Sequence, residues 1–496
     1  MNFKPTIGLE IHAELKTVTK MFCSCKNDPD EKHPNMNVCP VCLAHPGTLP
    51  VANREAIHKV LKLGAALGAK LADESRFDRK NYFYPDLPKG YQISQYPHPL
   101  VKTGVLELPA SPAKRGEPSG KKVRITRVHL EEDAARSVHD DKNKTTLVDF
   151  NRAGVPLMEL VTEPDMTSAK EAREFAEELQ LILRYLGISD ADMEKGQMRV
   201  EANISVSADS KLGTKVEVKN INSFRNVGRA IDFEIKRQSG LLEKGGKVRQ
   251  ETRGWNDAEE KTVGQRSKEE AHDYRYFPEP DLPPLKFSGI PEFSPEILRA
   301  RLPELPNQKR ARFRKEYGVD DEKLEIFIRD KALSEFFEQA VSEAEKWAGE
   351  VEPKKIIELS VNYITSDLSG LLKEKKLPIA EIKTTPENFG ELMKMTALGE
   401  ISSRGAKDIL RLMLETGEDP SEIAERDGFL QTSDAGALEE IVKNVIAQNS
   451  KAAEDYKKGK EASLQFLVGQ AMREAKSRKI GANPQTLKEF FLRLLG

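Results

Sequence analysis

The 496-residue sequence has no run of eighteen apolar residues, so it predicts no membrane-spanning helix. Its opening, MNFKPTIGLEIHAEL, lacks an apolar core and a small-residue cleavage site, and no secretory signal is read there. A reducing, cytoplasmic location is therefore expected. With 78 Lys and Arg against 80 Asp and Glu, the net charge is −2 and the chain is no polycation. Any contact with nucleic acid must come from a local basic patch. No internal repeat or low-complexity tract is seen. Phosphate-cradling loops are missing as well. RGEPSGKK, Arg115 to Lys122, has one residue too few between its glycines and no Ser or Thr after Lys121, so it fails the P-loop template. No GxGxxG follows a strand pattern. A nucleotide would have to be held by metal and basic side chains over a sheet.

Cysteine is scarce, and its placement is informative. All four lie in MFCSCKNDPDEKHPNMNVCPVC, Met21 to Cys42. Cys23 and Cys25 form one close pair and Cys39 and Cys42 another, on either side of a polar loop. Two such pairs can deliver four thiolates to one tetrahedral zinc, and a reducing compartment favours metal over disulfide. Packed reduced thiols or a redox-active CxxC are the alternatives. Four thiolates leave zinc no open position, so the expected role is structural and no cysteine is left as a nucleophile.

The length predicts about two to four domains. The first 290 residues are strand-rich and the last 200 helical in pattern, an α+β organisation. Tyr276 to Pro295 holds six prolines and reads as a boundary. A weaker break falls near Lys375 to Gly390. The reading is a domain over 1–292, a helical domain over 293–400 and a helical tail over 401–496. Ser168 and Glu171 form a capping-box pattern ahead of an apolar stripe, Ala172 to Leu186, which Gly187 ends. Asn483 and Pro484 open a last helix carrying Leu487, Phe490, Phe491, Leu494 and Leu495.

The strands alternate with a period of two. In TIGLEIHAEL, Ile7, Leu9, Ile11 and Ala13 face one way and Glu10 and His12 the other. RVHLEED sets His129 and Glu131 against Val128 and Leu130, and the opposite parity of Val123 and Ile125 predicts a bulge near Arg127. MRVEANISV and TKVEVKN add Arg199, Glu201, Glu217 and Lys219. LVDFNRAGVPLMELV reads as a hairpin. These one-sided strands predict an antiparallel sheet with helices on one face. Its polar face would gather Glu10, His12, His129, Glu131, Glu201 and Glu217, with Arg199 and Lys219 nearby. Such carboxylates repel one another unless a cation neutralises them, and magnesium, which also holds phosphates, is the natural candidate. FDRKNYFYPDLPKGYQISQY, Phe77 to Tyr96, adds Tyr82, Tyr84, Tyr91 and Tyr96 as pocket walls, with Arg79, Lys80 and Lys89 as charge. A solvated strand face and a self-packed aromatic loop are the alternatives these patterns leave open.

GLEIHAELKT, NVCPVCLAHPGTLPVAN, FDRKNYFYPDLPKGYQISQY, HLEEDAARSVH, VDFNRAGVPLMELVTEPD, VEVKNINSFRNV and DYRYFPEPDLPPL together resemble, in order, the B-subunit family of tRNA-dependent amidotransferases (GatB/GatE). GKEASLQFLVGQAMREA resembles that family's YqeY-like C-terminal tail. The length leaves no room for the large insertion usual in the archaeal sister protein, so the bacterial heterotrimer type is expected. The resemblance implies a cradle domain like the glutamine synthetase fold, followed by helical domains. It implies ATP- and Mg2+-dependent phosphorylation of the side-chain carboxylate of Asp-tRNA(Asn) or Glu-tRNA(Gln), then amidation by ammonia from a glutaminase. That glutaminase would be a partner chain of amidase fold (the A chain of the heterotrimer), with a small third chain (C) serving as a belt. The family's metal motifs fall on Glu10, His12, Glu131, Glu132 and Glu201, and its catalytic residues on Glu10, His12, Glu131 and Glu132. Lys80, Tyr82, Tyr84, Lys89, Arg199 and Lys219 are the expected nucleotide-binding residues. Cys23, Cys25, Cys39 and Cys42 are the zinc ligands, although some members lack them.

The sequence departs from the family in three places. Glu201 stands for a usual Asp, Ala135-Arg136 for Gly-Lys, and Ala44-His45 for Gly and an apolar residue. A non-catalytic, zinc-bearing tRNA-binding scaffold and a stand-alone small-molecule amide ligase are the rival readings. The last 46 residues, Lys451 to Gly496, hold ten Lys or Arg and five Asp or Glu, so they carry 10 − 5 = +5 against −7 for the rest. The family tail is expected to use that charge on tRNA phosphates.

Overall fold

The computed structural model describes residues 3–109, 120–140, 142–209, 211–267, 274–346, 352–430, 435–478 and 480–496. Residues 115–119 of the rejected P-loop segment and Asp273 of the DYRYFPEP motif lie outside the described residues. The chain forms two compact units, Met1–Asn307 and Gln308–Gly496.

Strand β1, Lys4–Glu14, organises the first unit. Ile7, Leu9, Ile11 and Ala13 are buried in the core, so Glu10 and His12 are left on the other face. The strands that follow are β2 (Asp78–Asn81), β3 (Tyr91–Ser94), β4 (Lys122–Glu132), β5 (Arg136–Asp140), β6 (Thr145–Asp149) and β7 (Pro156–Thr162). After them come β8 (Met198–Ser207), β9 (Val216–Ile221), β10 (Glu251–Asn256), β11 (Lys261–Ser267) and β12 (Phe277–Pro278). Among the described residues they build a sheet in the order β11-β10-β9-β8-β1-β7-β4-β3-β2-β12, with short strands pairing beside that path. Its neighbours are antiparallel except β9 and β10, which run parallel. The sheet is therefore mixed. A parallel pair needs a crossover, and helix α1, Phe224–Glu243, lies in that connection.

The expected bulge is present. Val161 pairs with Arg127 but Thr162 with Ile125, which leaves Thr126 as the extra residue. Val123 and Ile125 thus join Val128 and Leu130 in the core despite their opposite parity. The expected hairpin over LVDFNRAGVPLMELV does not form. β6 pairs with β5 in a separate two-stranded sheet, while β7 lies between β1 and β4. β7 is buried along almost its whole length and β6 is half exposed, so Asn151 to Gly154 carries the chain from rim to interior.

Helices Arg54–Ala66 and Ala169–Tyr185 and helix α1 share the apolar core of the sheet. Ser168 Oγ accepts the Glu171 amide at 3.2 Å, as the capping pattern predicts. The Glu171 carboxylate returns to the Thr167 amide at 2.7 Å, one residue earlier than a full capping box. Gly187 ends the helix with φ +65°.

The proline-rich segment packs into the first unit. Leu282, Phe287, Phe293 and Leu298 are buried in the first unit's core, and the unit continues to Asn307 rather than stopping at 292. Its prolines restrict it to short edge pairings. In the second unit, the expected break at 400 also shifts. Helices Ser403–Thr416 and Pro420–Asp427 pack on Pro386–Leu398, whereas 438–495 enclose their own core around Leu467, Leu487 and Phe491.

One close packing contact gives a stability test. A Cβ on Gly64 would meet Leu71 Cδ2 and Val101 Cγ2 at 2.6 Å. Gly64→Ala should gain up to about 1 kcal/mol of helix propensity and lose about 1–3 kcal/mol to overpacking. The expected result is a lower urea midpoint by tryptophan fluorescence. An unchanged or higher midpoint would mean that the two side chains yield freely.

Candidate active site and metal centre

The polar face of the sheet is ordered by strand register. One row runs Arg199–His12–Glu159–His129 across β8, β1, β7 and β4. The next runs Glu201–Glu10–Val161–Arg127, and a third Glu14–Leu157–Glu131. Glu159 is the centre. Its Oε1 accepts from Arg127 Nη2 at 3.0 Å, and its Oε2 lies 3.5 Å from both His12 Nε2 and His129 Nε2. Glu131 Oε1 is 3.4 Å from His12 Nε2. Lys219 Nζ meets Glu201 at 2.7 Å and Glu217 at 3.6 Å.

Burial and crowding shift these groups strongly. Burial, with the charges of Glu159 and Glu201, pushes the Glu10 carboxyl up to about 7. Burial would depress His12, but its bond to Glu159 and the charges of Glu131, Glu159 and Glu201 raise it to about 9. His129 is pulled down to about 4, mainly by burial. The Glu131 carboxyl is raised by burial, against the attraction of His12 and Lys80. Glu159 is held well below the usual carboxylate range because the histidines and Arg127 outweigh its burial.

Tyrosines bound this face. Lys80 Nζ lies 5.0 Å from the Tyr274 ring centre and 5.7 Å from that of Tyr82. Tyr276 stacks on Tyr96 at 5.2 Å, and Arg127 lies over Tyr96 at 4.6 Å. Tyr84 meets Tyr82 edge-on and is largely exposed. The Lys80 ammonium has no carboxylate within ion-pair distance among the described residues, and Glu131 is the main charge raising it against burial.

The structure brings together Glu10, His12, Glu131 and Glu201 of the expected metal set, with Lys80, Tyr82, Arg199 and Lys219 around them. It does not bring Glu132. β4 continues through Glu132, so that side chain points to the opposite face. There it accepts from Lys89 Nζ at 2.7 Å and from the Ile93 amide at 3.1 Å, and with Lys89 it lines a cavity beside Cys23 and Cys42. Lys89 is on that side as well. Sequence reasoning missed Glu159, Tyr274 and Tyr276. A single acid inside the apolar strand PLMELVT was the available signal for Glu159, and the paired tyrosines of DYRYFP were the signal for the other two.

Three overlapping groups have ligand atoms within 4.8 Å of one another: Glu10–His12–Glu159, His129–Glu131–Glu159 and Glu10–Glu201–Glu217. Two buried atoms there, Glu131 Oε2 and His129 Nδ1, have no hydrogen-bond partner. Oxygen-rich, crowded and under-satisfied, this donor set fits a hard divalent cation. At Glu201 and Glu217 the Lys219 ammonium already supplies positive charge.

The four cysteine sulfurs also lie within 4.8 Å of one another. They come from two tight turns, one closed by Lys20 N to Cys25 O and the other by Leu43 N to Cys39 O. Cys25 Sγ is 3.9 Å from Cys42 Sγ, close to the roughly 3.8 Å edge of a zinc–thiolate tetrahedron. The Cys39 amide donates to Cys42 Sγ at 3.1 Å. Ala44 has φ +58°, a conformation that glycine adopts without strain.

Residues 5–290 match a family model described as the GatB/GatE catalytic domain, and residues 328–495 match one described as a GatB domain. The chain is 47% identical to the B subunit of the aspartyl/glutamyl-tRNA(Asn/Gln) amidotransferase of Thermotoga maritima, over 100% of this chain and 99% of the relative. It is 44% identical to the protein of that name from Persephonella marina, over 100% of both. The identity to that of Brevibacillus brevis is 42%, over 99% of both.

Metal analysis of protein purified without chelator should find about one zinc per chain. Cys39→Ser should lose that zinc and lower thermal stability. A disulfide among the four cysteines, or full stability without bound metal, would contradict a structural zinc site.

Proposed function

The chain belongs to the GatB/GatE family of amidotransferase B subunits, and on that premise we propose that its acidic sheet face is where a tRNA-linked carboxylate is activated. It is part of a glutamine-hydrolysing, tRNA-dependent amidotransferase. The observation that carries the proposal is the pair of overlapping groups Glu10–His12–Glu159 and His129–Glu131–Glu159, in which Glu131 Oε2 and His129 Nδ1 are buried without a hydrogen-bond partner. A carboxylate is a poor electrophile, so it must first become an acyl phosphate. An oxygen of the Asp- or Glu-tRNA side chain bonds to the γ-phosphorus of ATP as the bond to the β,γ-bridging oxygen breaks, and that electron pair leaves with ADP. Ammonia then bonds to the acyl carbon, phosphate leaves with the carbon–oxygen electron pair, and nitrogen loses a proton. Magnesium held by Glu10, Glu131 and Glu159, with His12 joining once the ion displaces its proton and Glu201 at the rim, would neutralise the phosphoryl charge. Lys80, which has no ionic partner among the described residues, offers its ammonium to the reacting anions, and Tyr82, Tyr274 and Tyr276 exclude water around it.

Ammonia is proposed to come from another chain, as the family's division of labour implies. The proposed partners are the amidase-fold A chain and the small C chain of the heterotrimer, in a cytoplasmic complex. No helix of the described residues is long and apolar enough to cross a membrane. The tail is proposed to hold tRNA. Its described Lys and Arg side chains are exposed, and Lys451, Lys457, Lys458, Arg473, Lys476 and Lys488 have no ion-pair partner among the described residues. Lys479 lies outside the described residues.

Glu10→Gln and Glu159→Gln should each lower ATP-dependent amidation at least about 100-fold in the assembled complex, with glutaminase activity partly kept. Near-normal amidation by either variant at limiting magnesium would remove the assignment. Deleting 435–496, the separately cored part, should raise the KM for charged tRNA and flatten its salt dependence. ATP and glutamine binding should change little. Unaltered tRNA affinity in a folded truncation would contradict the tail assignment.

A further inference from the structure

Beside the metal-binding group, Asp133 holds two arginines in different ways. It follows the end of β4, and its backbone is fixed on both sides: its N–H donates to Val155 O, and its carbonyl accepts from Gly154 N, each at 2.9 Å. Its Oδ1 accepts the Ala134 amide at 2.8 Å. Oδ2 accepts from Arg199 Nη2 at 3.0 Å and lies 3.8 Å from Arg152 Nε. Only 4% of the Asp133 side chain is exposed.

The two arginines differ in what remains free. Arg152 is committed, donating from Nε to Ala134 O at 2.9 Å and from Nη2 to Ala135 O at 3.0 Å. Arg199 bonds Asp133 through one nitrogen, is 39% exposed, and has no other ion-pair partner among the described residues. Its remaining donors are available. Its place is set by register, directly across from His12 on the neighbouring strand. A guanidinium with one edge anchored and the other open, beside a phosphoryl-transfer centre, is pre-oriented for forked bonding to a tetrahedral oxyanion.

We infer that Asp133 is a positioning residue which fixes Arg199 as the phosphate clamp of this site, with Arg199 bonding the transferring γ-phosphoryl group. The inference rests on the reading of the sheet face as the ATP site and adds a residue to it. Asp133 touches no substrate. Its carboxylate removes the rotational freedom of Arg199, so the clamp is in place before ATP arrives.

The test is a double-mutant cycle in the assembled complex, reading kcat and KM for ATP in charged-tRNA-dependent amidation, with the melting temperature of each variant as a check on folding. Arg199→Met should lower kcat about 100-fold and Asp133→Asn about 10-fold or more. In the Arg199→Met background, Asp133→Asn should cause less than a twofold further loss, because the Asp133–Arg199 bond through which it acts on the reaction is already gone, while its contacts with Arg152 and Ala134 are common to both backgrounds. If Asp133→Asn multiplies its full loss onto Arg199→Met, or has no effect alone, the inference is overturned. If Arg199→Met itself leaves kcat and KM intact, the nucleotide assignment of Arg199 fails first. Should Asp133→Asn not assemble, Arg199→Lys decides. Its single ammonium cannot bond Asp133 and fork a phosphoryl group together, so kcat should fall at least tenfold at unchanged melting temperature. Full activity from lysine would overturn the clamp.

Discussion

Charge crowding around Glu159 is the constraint on which the site depends. One carboxylate serves two histidines and an arginine, while Glu10 and Glu131 are raised by the same confinement. Burial alone would neutralise such acids. Here the neighbouring histidines and Arg127 hold Glu159 well below the usual carboxylate range, against its burial in the middle of the sheet. The arrangement leaves two buried polar atoms, Glu131 Oε2 and His129 Nδ1, unsatisfied, a cost of about 1–3 kcal/mol for each such group. A cation and a phosphorylated substrate would relieve it. Stability is given up where charge is later needed.

The fold makes that crowding possible. β1 is buried against α/β packing on one side and paired on both edges, so its register with β7 and β8 is fixed over many residues. A one-residue slip would exchange Glu10 and His12 for Leu9 and Ile11. The bulge at Thr126 lets β4 serve the core at both ends while still presenting Arg127, His129 and Glu131 to the site. The cysteine cluster ties the two turns after β1 together, beside the cavity that Glu132 and Lys89 line. Its proposed zinc is then a brace for the back of the sheet.

Much of this was legible in the sequence because period-two alternation is a strong signal. It placed Glu10 with His12, His129 with Glu131, and the bulge near Arg127. The division into a sheet region and a helical region was legible for the same reason. What escaped depends on pairing between distant segments. β6 and β7 look like a hairpin locally, yet the buried sides of β7 find partners in β1 and β4. Glu159 was hidden by that misreading. The proline-rich segment reads as a linker by composition, but Leu282, Phe287 and Phe293 hold it in the core and Tyr274 and Tyr276 reach the site. The family motif includes Glu132, but the strand continues through it, so alternation turns that side chain away from Glu131. The parallel pairing of β9 and β10 leaves no mark in either strand's own pattern.

The central claim is that the buried carboxylates hold a divalent cation together with ATP. Manganese is a suitable probe, because its paramagnetic resonance distinguishes bound from free ion. Titrating the assembled complex with manganese in the presence of ATP, with wild type and Glu131→Gln compared, tests the claim most directly. The account predicts a protein-bound signal in the wild type whose affinity falls about 10- to 100-fold in the variant at unchanged melting temperature. Equal manganese affinity in the two proteins would contradict it.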